Sequence, residues 1–406
     1  MLAMLGMAVG INGMAFYAVG AMIGPLQAAF GWSRAAASSA SICLMAGQMI
    51  AAPLVGPAMA RFGARSVATA SGLAMAAGFA AMGLVSTRFA YGAVWLLTAL
   101  GGGATGAVLW SRVVLTQGSA RPGLRLGLAL CGTGLAGIAV PLALARVMAA
   151  DWRDGPWLLS GVAVLGAAVV WIGLGSAPSE PDRADPGLVT HGWTLRAARR
   201  SGAFWLLAGA FALIAACVAG LIVHLVPLLV DRGLSPGSAA AIAGGIGLAA
   251  LVGRATSGWL LDRWHPPLLA AGVVLLPALA ALCLLGAGRQ ASWVAALLIG
   301  LAAGAEIDLL AYLNGWCFGL RDSARIHGWL VGGFCLGSAL GPPLAGWVRD
   351  ATGSYREALI GAVALLMLAG VSLLGLRRVA GVPSAGPRSG RRQSVDRLEK
   401  RGQVGT

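Results

Sequence analysis

The sequence predicts an all-α membrane protein of twelve transmembrane helices, arranged as two parallel six-helix repeats. Of the 406 residues, 58% are hydrophobic and only 11% are charged, which leaves too few polar side chains to cover a water-soluble protein. The apolar stretches are also long enough for helices of about 20 residues, the length that a hydrocarbon core of roughly 30 Å requires. Together with an internal repeat, these observations exclude a soluble enzyme.

Charged residues and clusters of Gly, Pro, Asp and Ser divide the chain into twelve apolar segments. In the first half they run from about Ala3 to Phe30, Ser33 to Ala60, Ala64 to Thr87, Ala90 to Gln117, Leu124 to Ala150 and Pro156 to Ser176. In the second half they run from about Gly202 to Val230, Ser235 to Asp262, Pro266 to Gly288, Ala291 to Leu320, Ala324 to Val348 and Tyr355 to Leu376. Each segment is predicted to cross the bilayer as one helix.

A polar stretch separates the two sets of six segments. Residues 177–202 form the longest polar interval between apolar segments and begin with two prolines and three acidic residues. We expect a cytoplasmic linker there, between a six-helix bundle at 1–176 and a second one at 203–378. The tail at 379–406 is rich in Arg, Ser and Gly without hydrophobic periodicity, and we expect it to be disordered and to lie against anionic lipid.

An internal repeat relates the two halves. A shift of 202 residues aligns Pro25 with Pro227, Gly31 with Gly233, Ser33 with Ser235, Gly56 with Gly258 and Arg61 with Arg263 without a gap. A shift of 201 then aligns Gly132 with Gly333 and Pro141 with Pro342. Because six helices separate each pair, the two repeats have the same orientation in the membrane. Membrane proteins built on this plan hold small solutes near the midplane, between the halves.

The distribution of Lys and Arg predicts the orientation. Nineteen of the 29 basic residues lie on the side of the termini, eight lie on the opposite side, and Arg112 and Arg254 lie within spans. Cytoplasmic loops retain basic residues, so we expect a multi-pass protein of the bacterial inner membrane with both termini in the cytoplasm. Because the basic residues stand singly between apolar runs, the net charge of +15 reflects topology and not a nucleic-acid partner.

Three charged residues lie deep within the predicted spans. Arg254 is about nine residues, roughly 13 Å, from the cytoplasmic end of the eighth span, which is too deep for the guanidinium to reach water easily. Asp308 and Glu306 lie near the middle of the tenth span, and about 200° of helical rotation separates them. Asp308 is closer in depth to Arg254. We expect one of these acids to pair with Arg254 or to carry a coupled proton. The alternative is that each is a structural carboxyl that contacts a neighbouring helix.

Two further ionisable residues have alternative interpretations. His224 in the seventh span either responds to protonation near neutral pH or is held by a backbone carbonyl. Arg112 in the fourth span is about five residues from the cytoplasmic end, so it either reaches the interface or contacts substrate. The other candidates for substrate contact are hydrogen-bonding side chains in the middle of spans: Asn12, Tyr17, Gln48 and Tyr312.

The loop after the second span carries a family signature. Gly56-Pro57-Ala58-Met59-Ala60-Arg61-Phe62-Gly63-Ala64-Arg65 resembles the G-x-x-x-D-R-x-G-x-R motif of the major facilitator superfamily, with alanine at the acidic position. The repeat partner, from Gly258 to Asp262 and Arg263, keeps the acidic residue. The resemblance implies the major facilitator fold and a gating loop that contains Gly56, Arg61, Arg65, Gly258, Asp262 and Arg263.

Other stretches resemble the bacterial branch related to monocarboxylate transporters and the oxalate:formate antiporter. They are Phe30-Gly31-Trp32-Ser33-Arg34, His224-Leu225-Val226-Pro227-Leu228-Leu229 and the run from Gly304 to Leu313. Arg254 followed by Gly258 is similar to the R-x-x-x-G of monocarboxylate transporters, which implies that Arg254 holds the substrate carboxylate. The aspartate that those proteins carry four residues earlier is Ala250 here.

These observations predict a secondary active transporter of a small organic anion that works by alternating access. We expect a monomer that binds a small-molecule substrate and membrane lipid, without a metal or cofactor. Since no nucleotide-binding P-loop is present, the energy source is a proton, an ion or an exchanged solute. One alternative is an exporter of hydrophobic drugs or metabolites, for which an apolar cavity suffices. Another is a membrane-embedded enzyme or a non-transporting sensor, which would need catalytic groups or an output domain.

Overall fold

The computed structural model describes residues 1–116, 122–174, 192–261, 263–286, 288–319 and 321–379. Eleven helical segments in this part of the chain are long and apolar enough to cross a membrane. One of them, Arg34–Met82, has 49 residues and contains Gly63 at φ 78°, ψ 153°, a positive φ that favours glycine. Gly63 divides this segment into two spans, so the described residues form twelve. The linker is described from 192 onward only, and the tail lies outside the described residues.

We number the twelve spans in chain order. In the first half α1 is Leu2–Phe30, α2 is 40–62 and follows a short helix Arg34–Ser38, α3 is 64–82, α4 is Arg88–Val114, α5 is Pro122–Val147 and α6 is Asp154–Gly173. In the second half a short helix Leu195–Arg199 precedes α7 at Gly202–Asp231, α8 at Pro236–Leu261, α9 at Pro266–Leu285, α10 at Arg289–Phe318, α11 at Ser323–Thr352 and α12 at Arg356–Val379.

The first and fourth spans are interrupted, although the apolar sequence predicts continuous helices. Gly10 is extended, at φ −83° and ψ 177°, and a π-helical turn follows at Ile11–Ala15. In α4 a 3-10 turn at Gly103–Thr105 ends at an extended Gly106. The two interruptions meet, because the Ile11 amide donates to Thr105 Oγ1 at 2.9 Å. A backbone amide that lacks its intrahelical hydrogen bond within a membrane needs such a partner. The apolar periodicity of the sequence does not predict a partner that lies on another helix.

Small residues bring the two halves together. A Cβ added to Gly247 in α8 would lie 2.3 Å from the carbonyl oxygen of Gly134 in α5, so only glycine allows this approach. On the side of the membrane opposite the termini, which we call the outer side, Ser41 Oγ donates to the carbonyl of Ala339 at 2.8 Å. Helix α5 therefore packs directly on α8, and this contact positions the charged residues of α8.

Candidate functional site

Arg254 lies on α8 where that helix meets both α5 and α10. Its Nη1 donates to the carbonyl of Leu130 in α5 at 3.0 Å, and its Nε donates to the carbonyl of Gly304 in α10 at 3.4 Å. Gly304 lies against the α8 backbone, because an added Cβ would be 2.2 Å from the carbonyl oxygen of Ala250. Arg254 therefore joins the two halves of the chain through its guanidinium.

An acidic side chain of α10 stands beside Arg254. Asp308 Oδ2 is 3.7 Å from Arg254 Nε, and the two side chains are 34% and 18% exposed. Counted from the helix ends at Phe318 and Leu261, Asp308 and Arg254 are about 15 Å and 10 Å deep. At this distance the pair is a loose contact and not a tight, hydrogen-bonded ion pair.

Glu306 occupies a different face of α10. The side chain is buried, and Oε2 has no hydrogen-bond partner among the described residues. An ionised carboxyl without a partner in a membrane interior is costly. The arrangement thus places one acid in contact with Arg254 and a second, enclosed acid nearby on the same helix.

A cavity of about 40 Å³ adjoins Arg254. Tyr17 of α1 and residues of α5 line it from one half, and Ala250, Arg254 and Ala303 line it from the other. About 10–15 Å³ of such volume is enough for one water molecule, so this cavity admits a few waters or a small polar group. It lies between the halves, where transport proteins of this plan hold their solutes.

The other predicted substrate contacts do not line this cavity. Asn12 Nδ2 donates to Gln48 Oε1 at 3.0 Å within the first half. Arg112 lies beside Gly56, whose added Cβ would be 3.4 Å from the guanidinium nitrogens. Tyr312 is 38% exposed on α10. The structure therefore brings Arg254, Tyr17 and Asp308 together and leaves these four at other positions.

The predicted gating-loop residues lie at the side of the termini. Arg61 stacks on Phe62 and Arg65 on Trp171, with 5.1 Å and 3.9 Å from guanidinium carbon to ring centroid. The repeat partner Arg263 stacks on Trp259 at 4.1 Å, and Gly258 has open space around it. Asp262 lies outside the described residues.

His224 belongs to a separate polar group at the outer side. Its Nε2 lies 2.8 Å from the carbonyl of Pro342, and its Nδ1 lies 2.8 Å from the hydroxyl of Tyr355. Because the Pro342 carbonyl can only accept, a neutral imidazole donates from Nε2 and accepts at Nδ1 from the Tyr355 hydroxyl. Burial raises the pKa of Tyr355 to about 12, so this hydroxyl is protonated at neutral pH. Both ring nitrogens of His224 are engaged, and the residue does not line the Arg254 cavity.

The same polar group contains a charged contact between the halves. Arg34 of the first half reaches Asp231 at 2.5 Å and Tyr355 at 2.6 Å, and Arg349 reaches the other oxygen of Asp231 at 3.2 Å. Asp350 accepts from the backbone amides of Arg34 and Ala35 at 3.1 Å and 2.9 Å. We call Arg34, Asp231, Arg349, Asp350, Tyr355 and His224 the outer network.

The outer network closes the outer side of the molecule. Arg34 is buried, with a side chain that is 8% exposed. Among ion pairs between described residues, Arg34–Asp231 is the one that joins the two halves. Of the outer network, the sequence predicted a role for His224 alone. The charged residues at the outer ends of α7 and α11 are a sequence signal that could have identified other members of the network.

Comparisons with known proteins agree with this architecture. The profile of the Major Facilitator Superfamily matches residues 5–315. Human monocarboxylate transporter 11 is 29% identical over 371 residues, covering 86% of this chain and 75% of that protein. The gallate transporter of Pseudomonas putida is 32% identical over 135 residues, 29% of each protein.

A solved structure shares the fold. A bacterial homologue of the human lysosomal transporter Spinster, in an inward-facing and occupied conformation, superposes with a TM-score of 0.76 at 15% identity and covers 93% of this chain and 96% of its own. The expectation of a major facilitator fold is confirmed, and the relatives are transporters and not enzymes. The chain therefore belongs to the Major Facilitator Superfamily and is a multi-pass membrane transporter that resembles the monocarboxylate transporters.

Proposed function

We propose that this chain is a secondary active transporter of a small organic anion that carries a carboxylate group. It works by alternating access between residues 1–176 and 203–378, which rock about the Arg254 cavity. The observation that carries this proposal is that part of the Arg254 guanidinium still has N–H groups without a partner among the described residues. Nε and Nη1 donate to carbonyls, whereas Nη2 makes no hydrogen bond to any described residue. The second N–H of Nη1 and the N–H groups of Nη2 remain to donate to the two oxygens of a carboxylate.

Asp308 gives Arg254 only partial charge compensation. The distance of 3.7 Å to Asp308 is longer than the roughly 2.8 Å of a strong charge-assisted hydrogen bond. A substrate carboxylate therefore gains more from Arg254 than Asp308 does. The relatives named for monocarboxylate and gallate transport support the same substrate chemistry.

The energy source in this proposal is a proton or an exchanged solute. Glu306 is the enclosed carboxyl beside the site, so loss or gain of its proton would change the charge next to Arg254. Asp308 would pair with Arg254 when substrate has left. The loop residues that flank Arg61 and Arg263 would move as the halves change their relative orientation.

The orientation is part of the proposal. From the excess of basic residues on the side of the termini, we propose that both termini lie on the cytoplasmic side of a bacterial inner membrane. A reporter that is active only in the cytoplasm, fused after Thr406, should be active, and the same reporter inserted at Ser235 in the outer loop between α7 and α8 should be silent. The reverse pattern would contradict this orientation.

Ligand screening tests the substrate class. We expect the purified protein to be stabilised by at least one small carboxylate, tested as acetate, lactate, benzoate and gallate, and not by the corresponding amide. A ligand at 100 times its Kd adds about 2.7 kcal/mol to the stability of the bound state, which corresponds to a rise of about 3 °C in Tm for a chain of this length.

The same screen includes uncharged and cationic hydrophobic drugs. Stabilisation by these drugs and by none of the carboxylates would contradict an anion transporter and favour an exporter of hydrophobic compounds. Repeating the measurement at pH 6 and pH 8 tests coupling, since a carboxylate that binds together with a proton should stabilise more at the lower pH.

A further inference from the structure

A short helix, Leu195–Arg199, lies immediately before α7 on the side of the termini. Thr194 caps it by accepting the Ala197 amide at 3.2 Å, and Ala198 is fully buried. The Leu195 amide donates to Asp322 Oδ2 at 2.9 Å. The burial of Ala198 and the hydrogen bond to Asp322 therefore hold this helix in place beside the beginning of α11.

Three arginines share the exposed face of the short helix. Arg196, Arg199 and Arg200 occupy positions i, i+3 and i+4, which lie on one side of a helix, and all three are exposed. None forms an ion pair with an acid among the described residues. The acid that packs against this helix is Asp322, and its contact is with the Leu195 amide at the other end. Within the described part of the chain, the face is thus a cluster of three positive charges without an acidic partner.

A hollow of about 350 Å³ lies at this cluster. Its lining consists of Leu195, the three arginines and Trp205 of the first turn of α7. The Trp205 indole donates to the carbonyl of Arg199 at 2.9 Å, while its ring is 61% exposed. Tryptophan in the first turn of a membrane span marks the headgroup level of the bilayer, so the hollow combines a charged rim with an apolar wall at that depth.

We propose that this hollow binds the phosphate of an anionic phospholipid from the leaflet on the side of the termini. Arginine donates two parallel hydrogen bonds to a phosphate, and a cluster of three arginines favours a headgroup with net negative charge. The acyl chain lies against Trp205 and the outside of α7. A free phosphate satisfies the arginines but has no group to cover the exposed indole.

The test uses the full-length protein in detergent and short-chain lipids. Binding of dioctanoyl-phosphatidylglycerol, dioctanoyl-phosphatidylcholine and inorganic phosphate is measured by native mass spectrometry. We expect phosphatidylglycerol to bind, and the triple variant R196Q/R199Q/R200Q to bind it at least tenfold more weakly, since each basic residue near a lipid surface contributes roughly a factor of five.

A matched variant removes the same charge elsewhere. R61Q/R125Q/R263Q also loses three exposed arginines on the side of the termini, outside the hollow, and should keep its affinity within twofold. A bromine-labelled phosphatidylglycerol should quench the tryptophan fluorescence of the native chain, and Trp205→Phe should reduce that quenching. Because the substituted side chains are exposed, thermal unfolding should be unchanged in both triple variants.

Three results would overturn the proposal. Equal losses in the two triple variants would show diffuse attraction by net charge. Equal binding of phosphatidylcholine would show that the arginines do not select an anionic headgroup. Displacement of the lipid by inorganic phosphate at similar concentration would identify a free-phosphate site. None of these outcomes depends on transport, so they are distinguishable from failure of the proposed function.

Discussion

Arg254→Ala should abolish binding of the transported carboxylate. The substitution removes the guanidinium edge that faces the cavity between the halves. Two charge-assisted hydrogen bonds contribute about 3 kcal/mol or more together, so the affinity should fall on the order of 100-fold. The measurement is isothermal titration of the purified variant with the carboxylate that stabilises the native protein. Unchanged affinity in a normally folded variant would contradict the proposed site.

Conservative changes separate charge from geometry at this position. Arg254→Lys keeps the charge but loses the planar pair of donors, so its affinity should lie between those of the native protein and the alanine variant. Asp308→Asn removes the carboxylate that stands 3.7 Å from Arg254. It should bind substrate more tightly and release it more slowly, because no internal acid competes for the arginine.

Arg112→Ala is the matched comparison. Arg112 is also a cationic side chain in a span, but it lies beside Gly56 on α2 and does not line the Arg254 cavity. We expect its affinity to remain within about threefold of the native value. A large loss in both variants would extend the substrate site to α4.

Asp231→Asn should open the outer side of the transporter. Asp231 accepts from both Arg34 and Arg349, and its neutralisation leaves the buried guanidinium of Arg34 without its ion pair. Breaking a buried ion pair costs about 3–5 kcal/mol, and the partial exposure of Asp231, 30%, lowers this to roughly 2 kcal/mol. The ratio of outer-closed to outer-open molecules should fall about 30-fold.

Distance measurements between the halves detect this shift. Spin labels attached through non-canonical amino acids at Arg88 and Gln290, both exposed on the outer side, should show a longer separation in Asp231→Asn. Tyr355→Phe, which removes the hydroxyl between Arg34 and His224, should give a smaller change in the same direction.

A surface ion pair on the same side provides the control. Asp151 and Arg153 lie 3.9 Å apart, with side chains 51% and 45% exposed, and both belong to the first half. Exposed pairs of this kind contribute little, so Asp151→Asn should leave the distance unchanged. An equal change in both variants, or none in Asp231→Asn, would show that the outer network does not hold the halves together.

The sequence alone determined the class of protein, the number of spans and their relation by a repeat. These properties depend on the length of apolar runs, which the bilayer thickness fixes, and on positions such as Pro25 and Pro227 that recur at a constant shift. It also predicted that Arg254 and Asp308 lie within their spans and away from the helix ends, because depth follows from counting residues along a helix of 1.5 Å per residue. The superfamily followed from the loop around Arg61 and Arg263.

Only the tertiary structure decided which side chains and backbone groups meet. Arg34 and Asp231 are 197 positions apart, the carbonyl that holds Arg254 belongs to Leu130, and the interruption at Gly10 is satisfied by Thr105. The physical reason lies in the solvent. Because lipid is as apolar as the helix interfaces, hydropathy does not distinguish the face of a span that meets another helix from the face that meets lipid. The rotation of each helix about its axis, and hence the partners of its few polar groups, is set by close packing between helices distant in the chain.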